Sequence, residues 1–105
     1  MKHFLVEARY LVPYEKIREM QPRHRLFLQK GYDSGLFLCS GPQVDPPVGG
    51  FLIARAKSKA ELESMFEDEP FNAGKLASYT FTEFNPVKRQ PWTEQWFSEK
   101  SDLAV

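Results

Sequence analysis

His24 is the side chain of this sequence that is best suited to proton-transfer chemistry. Its spacing to Phe27 and Leu28 predicts that the three share one helix face, so the imidazole points the same way as apolar side chains. We expect Pro22 to begin this helix, because proline is tolerated in a first turn and costly further inside. There, the helix dipole and partial burial lower the pKa of a histidine and leave it neutral, ready to accept a proton. The alternative, an ordinary structural histidine at a helix edge, is favoured by the residue types alone.

A carboxylate partner for this histidine would come from the acidic run Glu67-Asp68-Glu69, which precedes Pro70. Such a run before a proline is ordinarily a solvated turn or the acidic start of a helix. A carboxylate that reached His24 would fix the tautomer of the imidazole or share a proton with it. The sequence leaves both interpretations open.

The segment Ser40-Gly41-Pro42 is a third candidate, at the predicted end of a strand. It is either a simple strand-ending turn or the rim of a pocket. In the second case, Gly41 would let a ligand approach the backbone closely.

The remaining reactive residue types argue against other chemistry. Cys39 is the single cysteine and lies in an apolar stretch, so we expect a buried, unreactive thiol and no intrachain disulfide. The two histidines, His3 and His24, are far apart, and no Cys or His pair has the spacing of a metal site. We therefore predict neither a metal nor a glycine-rich phosphate loop.

The elements that must position these residues follow the order β-α-β-β-α-β. Strands are predicted at 3–11, 35–41, 50–56 and 78–84, helical segments at 14–20, 22–30 and 59–66, and a turn with a short helical piece at 67–74. Gly31 is the predicted stop of the second helical segment, and Ser58 with Glu61 forms a capping box before the third. This order predicts an α+β, ferredoxin-like βαββαβ fold, with a four-stranded antiparallel sheet and helices on one face.

The second predicted strand is apolar on both sides. Its two faces are Leu36, Leu38, Ser40 and Phe37, Cys39, Gly41. A strand covered on one side only would carry polar residues on the other. We therefore expect helices on one face of the sheet and a second subunit on the other.

Composition limits the partners. The 105 residues suit one domain, 42% of them are hydrophobic, and the formal net charge is zero, so nucleic acid is not expected. No stretch approaches the roughly 20 apolar residues of a membrane span. The short apolar run at the N-terminus is no signal peptide, which predicts a cytoplasmic protein. Trp92, Trp96 and Phe97 make the tail too aromatic for a disordered segment, so we expect it to pack on the domain or on a partner.

Four segments together resemble the YciI-like family. They are 22–28 (Pro-Arg-His-Arg-Leu-Phe-Leu), 35–42 (Gly-Leu-Phe-Leu-Cys-Ser-Gly-Pro), 69–74 (Glu-Pro-Phe-Asn-Ala-Gly) and 84–86 (Phe-Asn-Pro). The resemblance covers residues 1–87, which we take as the domain, followed by a tail at 88–105. It implies a ferredoxin-like fold that pairs into a homodimer, with two sheets facing each other as a dimeric α/β barrel.

The resemblance also implies a histidine–aspartate site. The histidine position corresponds to His24, and the aspartate position holds Glu69, one methylene longer, so that Asp68 could substitute. Such a pair suits cofactor-independent proton abstraction or HX elimination by a lyase or isomerase acting on a small cyclic, aromatic or carbonyl metabolite. Ser40, Gly41, Pro42 and Phe71 would then line the substrate pocket. The alternatives are a non-catalytic small-molecule binding protein and a structural dimeric domain.

Overall fold

The computed structural model describes residues 1–98 as one antiparallel sheet with three helices packed on one face, and a short fourth helix whose Trp96 and Phe97 rings contact His3 on the other. The elements are β1 (Lys2–Tyr10), α1 (Tyr14–Asp33), β2 (Phe37–Pro42), β3 (Gly49–Ala56), α2 (Lys59–Phe66), α3 (Pro70–Ala73), β4 (Ala77–Phe84), a 3₁₀ turn (Pro91–Thr93) and α4 (Glu94–Phe97). The strand order is β2-β3-β1-β4, and each neighbouring pair is antiparallel. The predicted α+β, ferredoxin-like fold is confirmed.

The core lies between the sheet and its helices. Alternate residues of β1 face the helices, and Phe4 and Val6 are almost fully buried there. The larger cluster consists of Phe4, Val6, Phe37, Leu52, Ala54, Ala56, Leu62 and Phe66. A smaller cluster of Ile17, Phe71 and Ala77 joins α1, α3 and β4. Full burial of one such Phe or Leu side chain stabilises the fold by roughly 1.5–3 kcal/mol, so these clusters fix how the helices sit on the sheet.

The first helix is continuous, which corrects the predicted break at Pro22. Pro22 lies inside α1, which runs unbroken from Tyr14 to Asp33. Ile17, in the first half, is fully buried against Phe71 and Ala77, and this packing offsets the cost of an interior proline. Pro22 is exposed, so the carbonyl that lacks its amide donor lies on the solvent side of the helix.

The end of α1 also differs from the prediction, because Gly31 is not its stop. Gly31 lies inside the helix, where an added Cβ would sit 2.0 Å from Cδ2 of Phe37. Its role is to let the Phe37 ring pack against the helix backbone. The helix ends instead at Asp33 with Ser34 as its C-cap, and Gly35 follows with a φ of 79°, a left-handed conformation that glycine adopts without strain.

The second strand contains a bulge that overturns the predicted faces. Its register against β3 shifts between Phe37 and Cys39, which leaves one extra residue, so Phe37 and Ser40 both face the helices. Cys39 then lies on the opposite, outer face of the sheet and is exposed. The expectation of a buried thiol is therefore wrong, because a strict alternation assumed for this strand does not hold.

Two further predictions concern the start of α2 and the C-terminal tail. Ser58 caps α2, since its Oγ accepts a hydrogen bond from the backbone N–H of Glu61 at 3.1 Å, which confirms the capping box. Near the C-terminus, the indole Nε1 of Trp96 donates to the carbonyl of Gly35 at 3.0 Å, and its ring lies 4.6 Å from the Arg55 guanidinium. The rest of the predicted tail, 99–105, lies outside the described residues, and its separation from the domain stays a prediction.

Candidate functional site

A cavity of about 240 Å³ lies between α1 and the helix-facing side of the sheet. An engineered cavity of roughly 150 Å³ holds one benzene molecule, so this one has room for a single substituted ring. Its walls are mostly apolar, with Val6, Leu28 and Leu52 among them. A few polar side chains converge on it, which is the usual composition of a small-molecule site. They include Gln21, His24, Arg25 and Ser40.

His24 reaches this cavity from the middle of α1. Its ring stacks on Phe71 with 4.1 Å between the centroids and 11° between the planes, and its side chain is 21% exposed. Nδ1 is buried and lies 3.5 Å from Oε1 of Glu69. The predicted place in a first helical turn is wrong because the helix begins at Tyr14, so the helix dipole argument does not apply here. The predicted shared face with Phe27 and Leu28 is confirmed, since both pack against the core.

Glu69 is fully buried and begins α3. The residue before a proline favours extended backbone, and Pro70 suits the first position of a helix, so this dipeptide starts the short helix at a defined place. The Glu69 carboxylate caps it, with Oε2 accepting from the Phe71 backbone N–H at 2.6 Å and Oε1 accepting from the Tyr79 hydroxyl. Two hydrogen-bond donors therefore offset the cost of removing this carboxylate from solvent.

Two tyrosines beside the carboxylate are held in their protonated form. Burial, and then the nearby charge of Glu69 and its hydrogen bond, raise the pKa of Tyr79 far above its usual value. Burial also raises the pKa of Tyr10, with smaller contributions from Tyr14 and Glu69. Both Tyr10 and Tyr79 line the cavity with protonated hydroxyls, and that of Tyr79 already donates its hydrogen bond to Glu69.

The rim of the cavity includes the predicted segment at the end of β2. Ser40, Gly41 and Pro42 all line the cavity. The Ser40 hydroxyl shares a hydrogen bond of 2.6 Å with the hydroxyl of Tyr32 on α1, which joins the strand to the helix at the rim. An added Cβ at Gly41 would meet nothing within 4 Å, so the fold itself does not require glycine at this position.

The structure thus brings together most of the residues that the sequence singled out. His24, Glu69 and Phe71 are in contact, whereas Asp68 is exposed on the turn before them. Sequence reasoning missed Tyr79, whose alternation with its neighbours in β4 would have turned it toward the helices. It also missed Arg25, which lines the cavity one residue after His24. Among residues 1–98, no three His, Cys, Asp or Glu side chains are placed to hold a metal ion.

The fold and the site together define a ferredoxin-like α+β domain with a histidine–carboxylate pair in a cavity. The YCII-related domain matches residues 2–85, most of the chain, so the chain belongs to that family. No curated protein sequence matches it. A solved structure with a similar fold is 5-chloro-2-hydroxyhydroquinone dehydrochlorinase from Burkholderia phenoliruptrix AC1100, in complex with 2,5-dihydroxybenzoquinone. It is 21% identical, with a TM-score of 0.67, over 78% of this chain and 92% of the other.

Proposed function

We propose that this protein is a cofactor-independent lyase or isomerase that removes a proton from a small cyclic, aromatic or carbonyl metabolite in the cavity. The observation that carries the proposal is the pairing of His24, at the cavity wall, with the fully buried carboxylate of Glu69. His24 is the general base, and Glu69 orients it. Ser40, Gly41, Pro42 and Phe71 form the surroundings of the substrate.

The orientation of the imidazole follows from its neighbours. Nδ1 is buried and faces Glu69 Oε1, so the proton of the neutral ring belongs on Nδ1. Nε2 then carries the lone pair and acts as the base toward a substrate in the cavity. Stacking on Phe71 keeps the ring plane fixed while it does so.

The proposed step is redox-neutral, because the substrate is neither oxidised nor reduced overall. Nε2 takes a proton from a C–H or O–H group of the substrate, and the electron pair left behind forms a new double bond. In an elimination, a halide leaves from the far end of that π system with its own electron pair. In an isomerisation, the imidazolium instead returns the proton to another carbon. Neither course needs an electron carrier, and solvent takes the proton from His24 after an elimination.

The substrate proposed is a small ring that carries oxygen substituents. The similar structure is a dehydrochlorinase bound to a dihydroxybenzoquinone, which supports a ring that carries oxygen substituents. Arg25 at the cavity supplies a cation that would hold a phenolate or carboxylate oxygen. The apolar wall near Phe71 and Leu28 suits the face of the ring.

A ligand screen by thermal shift tests the site before any reaction is known. The wild type and His24→Ala are scanned against halogenated quinols, lactones, keto acids and simple phenols. A ligand at ten times its Kd stabilises the folded protein by about 1.4 kcal/mol, which raises Tm by several degrees. We expect shifts for the wild type that are lost in His24→Ala. His3→Gln, at the other histidine on the outer face of the sheet, is the matched control and should keep them.

Turnover of the ligands found in this screen separates catalysis from binding. We expect His24→Gln to abolish halide release or isomerisation while retaining ligand binding within a few-fold. Full turnover by His24→Gln would remove His24 from the mechanism. Binding without any chemical change, unaffected by His24→Gln, would support the binding-protein alternative. An absence of ligands for the wild type would favour a structural domain.

The second part of the proposal is a homodimer formed through the outer face of the sheet. Phe51 and Phe84 are 47% and 37% exposed there, and Leu5 and Ile53 are only partly buried. A patch of exposed aromatic side chains, on a face that also carries Glu7 and Thr80, is typical of an interaction surface. Sedimentation should give a dimer for the wild type and a monomer for Phe84→Glu. A monomeric wild type at high concentration would refute this part and leave the cavity proposal intact.

A further inference from the structure

One oxygen of the buried carboxylate has two neighbours that can offer it a proton. Glu69 Oε1 accepts a hydrogen bond from the hydroxyl of Tyr79 and also lies 3.5 Å from Nδ1 of His24. The other oxygen, Oε2, is occupied by the backbone N–H of Phe71. Tyr79 and His24 therefore compete for the same acceptor, and Tyr79 holds the closer contact.

The ring of Tyr79 is fixed by its packing. It lies on β4, contacts both core clusters, and has its ring centroid 5.1 Å from that of Phe66 and 6.3 Å from that of Phe81. A side chain held in this way can keep its hydroxyl on Glu69 without losing further conformational freedom.

The titratable and charged groups around the pair come from every element packed against it. They are Glu69 at the start of α3, Tyr79 on β4, Tyr10 on β1, and Arg25 on the same helix as His24. Within residues 1–98, the hydrogen bonds to the Glu69 carboxylate come from Tyr79 and from the Phe71 backbone. Tyr79 is thus the side chain best placed to set how strongly Glu69 attracts a proton on His24.

We infer that Tyr79 is a positioning residue for His24, because its hydroxyl occupies Glu69 Oε1 and so limits how tightly the carboxylate holds a protonated imidazole. The inference rests on the proposed role of the His24–Glu69 pair. A buried carboxylate without this donor would keep the imidazole charged to higher pH, and a charged imidazole is no base. Tyr79 keeps His24 available to accept a proton.

A pH titration of the histidine rings by NMR tests this inference on the free protein. The sequence has two histidines, so His3, on the other face of the sheet, serves as an internal reference. In Tyr79→Phe, the Glu69 carboxylate loses a donor, and its charge then favours a protonated imidazole 3.5 Å away more strongly. The midpoint of the His24 signals should therefore move upward by about one pH unit, a tenfold change in proton affinity. Tyr32→Phe removes a hydroxyl that bonds Ser40 instead and should leave the midpoint unchanged.

A purely structural role for Tyr79 would lower stability without moving this midpoint, so an unchanged midpoint in folded Tyr79→Phe overturns the inference. In a Glu69→Gln background, Tyr79→Phe should no longer shift His24, because the effect passes through the carboxylate. A shift that persists there also overturns it.

If Tyr79→Phe does not fold, wild-type protein labelled with ¹³C at tyrosine Cζ tests the same inference. The Tyr79 signal should then step at the His24 midpoint, and insensitivity to it would refute the coupling. None of these measurements uses turnover. Failure of this inference can therefore be distinguished from failure of the proposed reaction.

Discussion

Raising the pH above 10 should destabilise this protein through Tyr79 in particular. Burial and the neighbouring Glu69 carboxylate raise the pKa of Tyr79 in the folded state, whereas in the unfolded chain it has the usual value of 10.0. Because the folded-state pKa is the higher one, the contribution of Tyr79 to stability is fully present below pH 10. It is lost progressively above pH 10, where the unfolded chain releases the hydroxyl proton and the folded protein does not.

The size of the loss follows from this linkage alone. At pH 10, half of the unfolded chains have lost the proton, which lowers the free energy of unfolding by about 0.4 kcal/mol. At pH 11, the loss reaches about 1.4 kcal/mol. Tyr10 adds a further loss of the same sign, since burial also raises its pKa. The loss at pH 11 is a sizeable fraction of a stability that is typically 5–15 kcal/mol.

The assay compares urea unfolding of the wild type and Tyr79→Phe at pH 8 and pH 11. Lysines, arginines and the other tyrosines are common to both proteins, so their titration cancels in the difference. We expect the stability advantage of the wild type over Tyr79→Phe to shrink by about 1.4 kcal/mol between the two pH values. An advantage that stays constant would mean that Tyr79 ionises as freely in the folded protein as in the unfolded chain. The buried hydrogen bond to Glu69 would then be refuted.

Three further substitutions test how the elements are held. Gly31→Ala should destabilise by about 1–2 kcal/mol in urea unfolding, because the new Cβ overlaps the Phe37 ring and this outweighs a better helix propensity; a stabilised variant would show that the ring moves aside at little cost. Trp96→Ala should lower Tm by several degrees, since the Arg55 guanidinium loses its aromatic cover, and an unchanged Tm would mean that the tail adds nothing to the fold. Ser58→Ala should cost about 1 kcal/mol through loss of the α2 cap, and no loss of stability would contradict the capping role.

Local sequence signals predicted the order and type of the elements well. Apolar residue patterns, alternating in part of the strands and continuous in the second, located all four strands within about two residues of their observed bounds, and the Ser58–Glu61 capping box located the start of α2. These signals are carried by neighbouring residues, so they survive without knowledge of the tertiary structure.

The errors arose where tertiary packing overrides a local preference. Pro22 stays inside α1 because the buried side chain of Ile17 holds the first half of the helix in place. Gly31 is required by the ring of Phe37, which approaches from another element. A bulge in β2 moved Cys39 to the exposed face. None of these contacts can be read from residues adjacent in the chain.

The candidate site was predicted in its parts and not in its geometry. His24 and Glu69 were both singled out, but their separation of 45 positions in the chain gave no means of knowing that they meet. Tyr79 was missed because a tyrosine in an alternating strand is usually a packing residue. Its hydroxyl acquires a role only through the bend of the chain that places Glu69 above β4.

Glu69 has two roles, and this limits which substitutions at position 69 the protein tolerates. The carboxylate that faces His24 is also the cap that starts α3, and α3 carries the Phe71 ring on which His24 stacks. A substitution at position 69 therefore acts on the start of α3 and on the partner of His24 in one step. A different acid at this position is expected together with adjustments in the residues that meet it, Phe71 and the Tyr79 opposite it on β4. Such substitutions should therefore appear as a coupled set and not one by one.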